Sequence, residues 1–532
     1  MIDRSTPAIA HRLRHRAARA AAIAWVLIIA GCATLRFDVP RVPSQAFDQP
    51  LLTPLGQRYW PRLASAPGES GFRLLVSGPE AFAARRALAA AAQRTLDLQY
   101  YIVAHDSTTT LLLDTVLDAA RRGVRVRLLV DDLNVGSRDS ELAVLAGHPN
   151  VAVRLYNPAS QRGVFGLPQL LDWLGDSDRL NRRLHAKLWI ADGAVAVTGG
   201  RNLGDAYFDV APDRAFADLD VLAAGPAVAE MSRSFDLYWN SPWAVPIAAI
   251  VGPPPAPADL EQAWAGLDRS AERFRDSDYI RALRQTAFGA QVRSGEVPLV
   301  VAPAQVLYDP PVEARDEGAE TASSIFTAMR QAAETARHEL LLVSPYLVPG
   351  ERGVALLCGL ARRGVRVRIL TNSLASTDVP LVHAGYARYR PQMLACGVEL
   401  HELRPGVASP RTRIGLSSGA SLHSKAVVVD GELVFIGSMN LDPRSRHLNS
   451  ELALRIDSRT LGRQMTTLFD DATTLDQAYR VGLDEPGDAK AALHWDAVVD
   501  GRPIRYTDEP LASAWRRWFV RLLGRLAPED LL

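Results

Sequence analysis

Leu184-His185-Ala186-Lys187-Leu188-Trp189-Ile190-Ala191-Asp192-Gly193 is written twice in this chain, the second time as Leu422-His423-Ser424-Lys425-Ala426-Val427-Val428-Val429-Asp430-Gly431. In each version Lys follows His by two positions and Asp follows it by seven. Further on, Gly199-Gly200-Arg201-Asn202 answers Gly437-Ser438-Met439-Asn440, with each Asn seventeen positions past its His. The apolar run after each His predicts a strand, and the Asp-Gly that ends it predicts a hairpin turn. Side chains alternate faces along a strand, so His185 projects with Lys187, and His423 with Lys425. Each pair sets an imidazole beside an ammonium at a sheet edge. Asp192 and Asp430 have the opposite parity and read as turn or buttress groups rather than catalysts.

The repeat is wider than the motif. Ala-Arg-Arg-Gly-Val-Arg-Val-Arg at 120–127 recurs at 361–368, an offset of 241 against 238 between the histidines. Whole halves are therefore repeated. Strands alternating with Gly-capped helices predict an α/β fold: two similar sandwich halves with mixed sheets, related by a pseudo-two-fold, with one active site at their interface. The expected boundaries are a lipoprotein signal peptide at 1–31, a Pro-rich tether at 32–70, a first half at 71–242 (motif 179–206), a linker at 243–297 and a second half at 298–532 (motif 417–444). The linker carries a helical patch around Leu260 to Arg284. An amphipathic helix is expected at 512–526.

With 532 residues, 48% hydrophobic and 22% charged, the chain has ample core for two halves. Its net charge of +1 gives no overall pull toward nucleic acid. The Arg-rich runs at 120–127 and 361–368 read as solvated helix ends and strand flanks, and no basic stripe is interleaved with aromatics. At the N-terminus, five arginines precede a short apolar run, Ala20 to Ala30, that ends Ile29-Ala30-Gly31-Cys32. That ending resembles the bacterial lipobox, in which the Cys is lipidated; Cys32 would tie the chain to a membrane of the cell envelope, facing the periplasm. Cys358 and Cys396 lie in apolar, helix-like surroundings and read as two buried free thiols, although an oxidising compartment permits a disulfide. No cysteine has zinc-ligand spacing, and neither metal nor cofactor is expected.

The paired motifs resemble the HxKxxxxD signatures of the phospholipase D superfamily. Flanking segments are similar to its cardiolipin synthase C type branch: Leu-Asp-Leu-Gln-Tyr-Tyr-Ile at 96–102, Gly-Gly-Arg-Asn-Leu-Gly-Asp-Ala-Tyr-Phe at 199–208, Val-His-Ala-Gly-Tyr-Ala-Arg at 382–388 and Asp-Pro-Arg-Ser at 442–445. The resemblance implies transfer of a phosphatidyl group between phospholipids, phosphatidylglycerol with phosphatidylethanolamine or with itself, through a phosphohistidine. It favours His185 as the nucleophile, with His423 serving as acid and base; the symmetry of the motifs alone leaves this open. Lys187, Lys425, Asn202 and Asn440 suit the phosphoryl oxygens, and Ser438 offers a further phosphate hydrogen bond. Each imidazole needs an orienting acceptor. Glu451, twenty-eight positions past His423, stands where the superfamily's supporting carboxylate would, and Asp218 is its first-half counterpart, with Asp220 the alternative. Rival functions are a hydrolase that releases phosphatidic acid, a nuclease and a silent membrane scaffold. The expected partners are phospholipid substrates and an anionic membrane surface, with no nucleic acid; a need for an accessory protein stays open. The 512–526 helix, with aromatics on one face and arginines on the other, suits either that surface or the protein's own core or a second subunit.

Overall fold

In the computed structural model, residues 38–63, 65–135, 138–159, 177–211, 215–311, 323–406 and 420–526 are described. The expected signal peptide at 1–31 and the expected lipidation at Cys32 fall outside them.

Both predicted hairpins form. Leu188–Ala191 pairs antiparallel with Val195–Gly199, and Ala426–Val429 with Leu433–Gly437. The turns place Asp192 at φ 55°, Gly193 at 59°, Asp430 at 52° and Gly431 at 65°. Two successive positive-φ residues are what a tight strand-matching turn demands, and Asp-Gly supplies them at least cost. The Asp192 carboxylate accepts the backbone amides of Gln93, Arg94 and Thr95, and Asp430 those of Arg337, His338 and Glu339. Each motif Asp therefore joins its hairpin to the start of the neighbouring strand.

Eight strands repeat in the same spatial order. In the first half the order is Ser70–Leu75, Asp220–Ala224, Val195–Gly199, Leu188–Ala191, Thr95–Tyr100, Arg125–Asp131, Val151–Tyr156 and Ala244–Pro246. The second half runs Ala304–Tyr308, Leu452–Asp457, Leu433–Gly437, Ala426–Val429, Glu339–Val343, Arg366–Asn372, Glu399–Leu403 and Ala478–Leu483. Three central strands of each sheet are parallel and the rest antiparallel. The inner faces meet in one core: Leu188, Ile190 and Val221 from one sheet, Val428, Ile436 and Leu454 from the other, and the helices Pro226–Trp239 and Arg459–Ala472. Separate apolar clusters cover the outer faces.

Several expectations change. The segment expected as a tether is laid onto the first half from residue 38. Arg127 and Arg154 donate to the carbonyls of Ser44 and Val42 at 2.9 and 2.7 Å, and the Ala46 amide donates to Asp236 at 2.8 Å. Around residues 41–46 sheet-side arginines satisfy an extended backbone, and farther on Pro54–Tyr59 is a short helix that begins on its proline, capped by Thr53. The linker belongs mostly to the first half. Ala244–Pro246 is an edge strand of its sheet, and Pro257–Arg275, Asp278–Arg284 and Ala287–Ser294 are helices packed on its outer face through Ala271, Ile280, Leu283 and Phe288. The 297/298 boundary also moves, because Val300–Ala302 pairs with Ser70–Phe72 of the first sheet. Arg127 and Arg368 are buried rather than solvated: Asp97 and Asp236 flank Arg127 at 2.6 and 2.8 Å, and Asp470 meets Arg368 at 2.7 Å. Cys358 and Cys396 form a disulfide, not two thiols. The helices Gly350–Arg362 and Arg390–Ala395 pack side by side and bring the two Cα atoms to 5.4 Å, well inside bridging range.

Candidate active site

The strands begin at Leu188 and Ala426, one residue after each Lys, so both His-x-Lys pairs lie on the lead-in to a strand. That lead-in is paired with the opposite half. His185 N and Ala186 N donate to the Ser450 carbonyl at 2.9 and 3.0 Å, and Ser450 N donates back to Arg183. Symmetrically, Ala420–Leu422 runs parallel to Ala215–Ala217, and His423 N donates to the Ala217 carbonyl at 2.8 Å. Each half also grips the residue before its own histidine. Asp131 accepts the Leu184 amide at 2.8 Å, and Asn372 brackets Leu422, accepting its amide and donating to its carbonyl.

Because Ser450 and Ala217 immediately precede Glu451 and Asp218, this backbone exchange sets each carboxylate against the other half's histidine. Nδ1 of His185 lies 2.8 and 2.9 Å from the Glu451 oxygens, and Nδ1 of His423 lies 2.6 Å from Asp218 Oδ2. A carboxylate only accepts, so the proton sits on Nδ1 and Nε2 holds the lone pair. All four groups are buried. Burial first, and then the neighbouring lysines, push both imidazoles down, His185 to about 4. Although burial opposes it, the histidine and lysine neighbours hold Glu451 and Asp218 below the usual carboxylate range. The resting pairs are neutral imidazole on carboxylate.

The lysines are buried too, and each Nζ donates to the carbonyl of its own motif's histidine. Burial lowers Lys187 to about 7 and Lys425 to about 8, against the attraction of Glu451 and Asp218. Each lysine also acts electrostatically on the histidine of the other half. Two histidines, two lysines and two carboxylates thus form one electrostatic cluster.

The asparagines are not equivalent. Asn202 is engaged inside the protein, accepting the Ile102 amide at 3.1 Å and donating to the Tyr207 hydroxyl at 3.0 Å. The buried side-chain oxygen of Asn440 has no partner. Ser438 differs from its expected place on the phosphate: its hydroxyl donates to Glu451 Oε2 at 2.5 Å and accepts the Leu452 amide. Its counterpart Gly200 leaves room, since a Cβ there would lie 2.1 Å from Asp218 Oδ1. Asp220, the alternative to Asp218, instead pairs with Arg85 at 2.9 Å and meets no histidine.

Sequence reasoning passed over the aromatic walls. The Tyr101 ring lies 5.0 Å from His185, while Tyr207 and Phe216 lie 5.3 and 5.1 Å from His423. Tyr101 and Tyr207 sit within the quoted 96–102 and 199–208 segments, so their place beside the motifs was the available signal. Asn449, which donates to Glu451 Oε1 at 3.3 Å, was passed over too. No helix among the described residues is long and apolar enough to cross a membrane.

A family model described as "Cardiolipin synthase, PLD-like domain" matches residues 86–239 and 329–473, once in each half. The chain is 40% identical to cardiolipin synthase C of Escherichia coli (strain K12) over 490 residues, covering 89% of this chain and all of that one. Cardiolipin synthase of Geobacillus kaustophilus is 29% identical, over 78% of this chain and 68% of the relative. The crystal structure of a phosphatidylserine synthase from Haemophilus influenzae superposes with a TM-score of 0.54 at 14% identity, over 86% of this chain and 94% of that one, which speaks to the fold alone. Matched in both halves by one family model and along its length by a close relative, the chain belongs to the phospholipase D-like family of cardiolipin synthases.

Proposed function

We propose that this enzyme joins two phospholipids into cardiolipin through a covalent phosphohistidine on His185. The observation that carries the reading is the crossed pair of buried histidine–carboxylate contacts, with two buried lysines between them. The similarity to cardiolipin synthase C supports the choice of lipid.

Glu451 holds the proton on Nδ1 of His185 and leaves the Nε2 lone pair free to attack phosphorus. As the P–N bond forms, the P–O bond to the headgroup alcohol breaks. His423, protonated on Nε2 once the anionic substrate offsets the push of the lysines, gives that proton to the departing oxygen. The hydroxyl of an incoming phosphatidylglycerol then returns a proton to His423 while its oxygen displaces His185 from phosphorus. With phosphatidylethanolamine as donor the products are cardiolipin and ethanolamine; with phosphatidylglycerol they are cardiolipin and glycerol. Lys187 and Lys425 stabilise the phosphoryl oxygens, and Asn440 joins them through its amide N–H, since its oxygen only accepts. Asn202 acts through Tyr207, and Ser438 through Glu451.

The protein works in the cell envelope, tied to a membrane through Cys32 and facing the periplasm. The Cys358–Cys396 bridge supports an oxidising compartment. The direct test supplies the purified chain, with a chelator present, with phosphatidylethanolamine vesicles with and without phosphatidylglycerol. Cardiolipin should appear only when phosphatidylglycerol is added, and cells lacking other cardiolipin synthases should regain the lipid when they carry this chain. Phosphatidic acid as the sole product at saturating phosphatidylglycerol would make the enzyme a hydrolase.

A further inference from the structure

The C-terminal helix Ala514–Leu526 is attached to the body along one side only. Val520 packs with Leu374, Ala384 and Ala512, Arg516 donates to the Thr377 carbonyl at 2.5 Å, and Arg388 donates to the Gly524 carbonyl at 2.9 Å. The other side stands in solvent: Trp515 is 68% exposed, Trp518 52%, Phe519 39% and Leu522 38%. The rings of Trp515 and Trp518 stack at 4.8 Å, and Leu511, 67% exposed, lies just ahead of the helix. This patch exceeds the scattered apolar residues that an ordinary surface shows.

Charge tells what covers it. The helix carries Arg516, Arg517, Arg521 and Arg525 and neither Asp nor Glu. Beneath it a cavity of about 440 Å³ is lined by Arg388, Arg390, Arg517 and Arg521 against two carboxylates, Asp508, which Arg521 meets at 3.3 Å, and Glu509, which Arg390 holds, so positive charge is in excess. A second copy of the same helix would bring like charges together, whereas anionic headgroups would neutralise them. Thirteen residues span about 20 Å, short of the roughly 30 Å hydrocarbon core, so such a helix lies in the interface, where Trp is favoured.

Position links this face to the chemistry. Thr377, which Arg516 grips, is followed by Asp378, an exposed carboxylate that accepts the Tyr346 hydroxyl at 2.9 Å and acts on Lys425 and Tyr207. The same stretch begins at Asn372, which brackets the residue before His423. The aromatic face therefore stands beside the rim of the site.

We propose that this face docks the enzyme on an anionic phospholipid bilayer and turns the rim of the site toward the headgroups. The purpose rests on the lipid-transfer reading above, but the docking itself is testable without catalysis. The full chain carrying Cys32→Ser is mixed with vesicles of phosphatidylglycerol or of phosphatidylcholine, each brominated in the acyl chains, and tryptophan quenching is recorded. Because the N-terminal apolar run is present in every sample, the informative quantity is the difference between this chain and its Trp515→Phe/Trp518→Phe variant. That difference should be large on phosphatidylglycerol and small on phosphatidylcholine. Arg517→Gln/Arg521→Gln should weaken binding to phosphatidylglycerol vesicles roughly fivefold per arginine and reduce its salt dependence, with the circular dichroism unchanged. No difference, or the same difference on both lipids, overturns the proposal. So does concentration-dependent dimerisation that Trp515→Ser/Trp518→Ser abolishes, which would assign the face to a second copy. If the helix inserts and no cardiolipin is made, the docking stands and the lipid-transfer reading fails. If cardiolipin is made without insertion, the docking fails alone.

Discussion

The first half fixes its supporting carboxylate with an arginine–aspartate ion-pair cluster, the second with hydrogen bonds from uncharged side chains and apolar packing. Two residues beyond Asp218, Asp220 pairs with Arg85 at 2.9 Å and lies 3.7 Å from Arg201. Arg201 also donates to the backbone carbonyls of Asp218 and Tyr207, at 2.5 and 3.0 Å. In the second half the same places hold Met329, Met439 and Ala453, all in the outer core. Strand register makes the equivalence plain, since Gly199 faces Asp220 and Gly437 faces Ala453. Glu451 is held instead by Ser438 and Asn449, and its amide donates to Asp309 at 3.2 Å. A buried charge cluster and an apolar trio thus support the same architecture in one molecule. What the two halves share is the placement of a carboxylate beneath the opposite histidine, not the means of fixing it.

The largest expected effects test whether the halves share one site. His185→Ala and His423→Ala should each abolish transfer, and the double variant should be no worse than the poorer single, because groups acting as a unit are not additive. A folded single variant with near-native activity would break the comparison outright. Next come the carboxylates. Asp218→Asn and Glu451→Gln should each lower kcat on the order of 10⁴-fold, the scale seen when the buried carboxylate behind a catalytic histidine is neutralised elsewhere. The crossing has its own signature: Glu451→Gln should move the imidazole nitrogen resonances of His185 and leave those of His423 in place, and Asp218→Asn the reverse.

The charge cluster comes third. Removing one partner leaves uncompensated buried charge, so Asp220→Ala should cost about 3–5 kcal/mol in unfolding experiments. Arg85→Met/Arg201→Met/Asp220→Ala, which copies the second half, should recover much of that loss; a triple variant less stable than the single would show that the cluster supports more than geometry. Smaller effects are expected where Gly200 answers Ser438. Ser438→Gly removes one hydrogen bond to a charged acceptor, worth about 1.5–3 kcal/mol at most, or roughly ten- to a hundredfold in kcat. Gly200→Ser should do more harm, because its Cβ would displace Asp218. Equal rates for the two variants would contradict the asymmetry.

The mildest effect is on pH. Lys187, lowered to about 7, and Lys425, lowered to about 8, carry their charge below those values and lose it above them, while His185 is neutral above about 4. The profile of kcat/KM, which reports the free enzyme, should therefore fall on the alkaline side in two stages, first as His423, held below its ordinary value by burial and the lysines, loses the proton it must donate, and again from about pH 7 as the lysines lose their charge. An activity that keeps rising through pH 9 would mean that the lysines are not the charge the phosphate meets.

By itself the sequence determined the doubling of the chain, the strands and Asp-Gly hairpins after each motif, and the pairing of His185 with Lys187 and of His423 with Lys425. The doubling is read from segments repeated at offsets of 238 and 241 residues, and the rest from period-two alternation and turn chemistry, which act over a few residues. Glu451 and Asp218 were also legible, one from the resemblance and one from its place in the repeat. Which histidine each carboxylate serves was not legible: those contacts close over 266 and 205 residues of chain and follow from backbone pairing between the halves. No local pattern encodes such a pairing. The same is true of the arginines that hold residues 41–46 in place, of Val300–Ala302 joining the first sheet, and of Cys358 meeting Cys396. In each case the partner is supplied by a distant segment that becomes a neighbour only when the layers pack, so tertiary structure alone decided it.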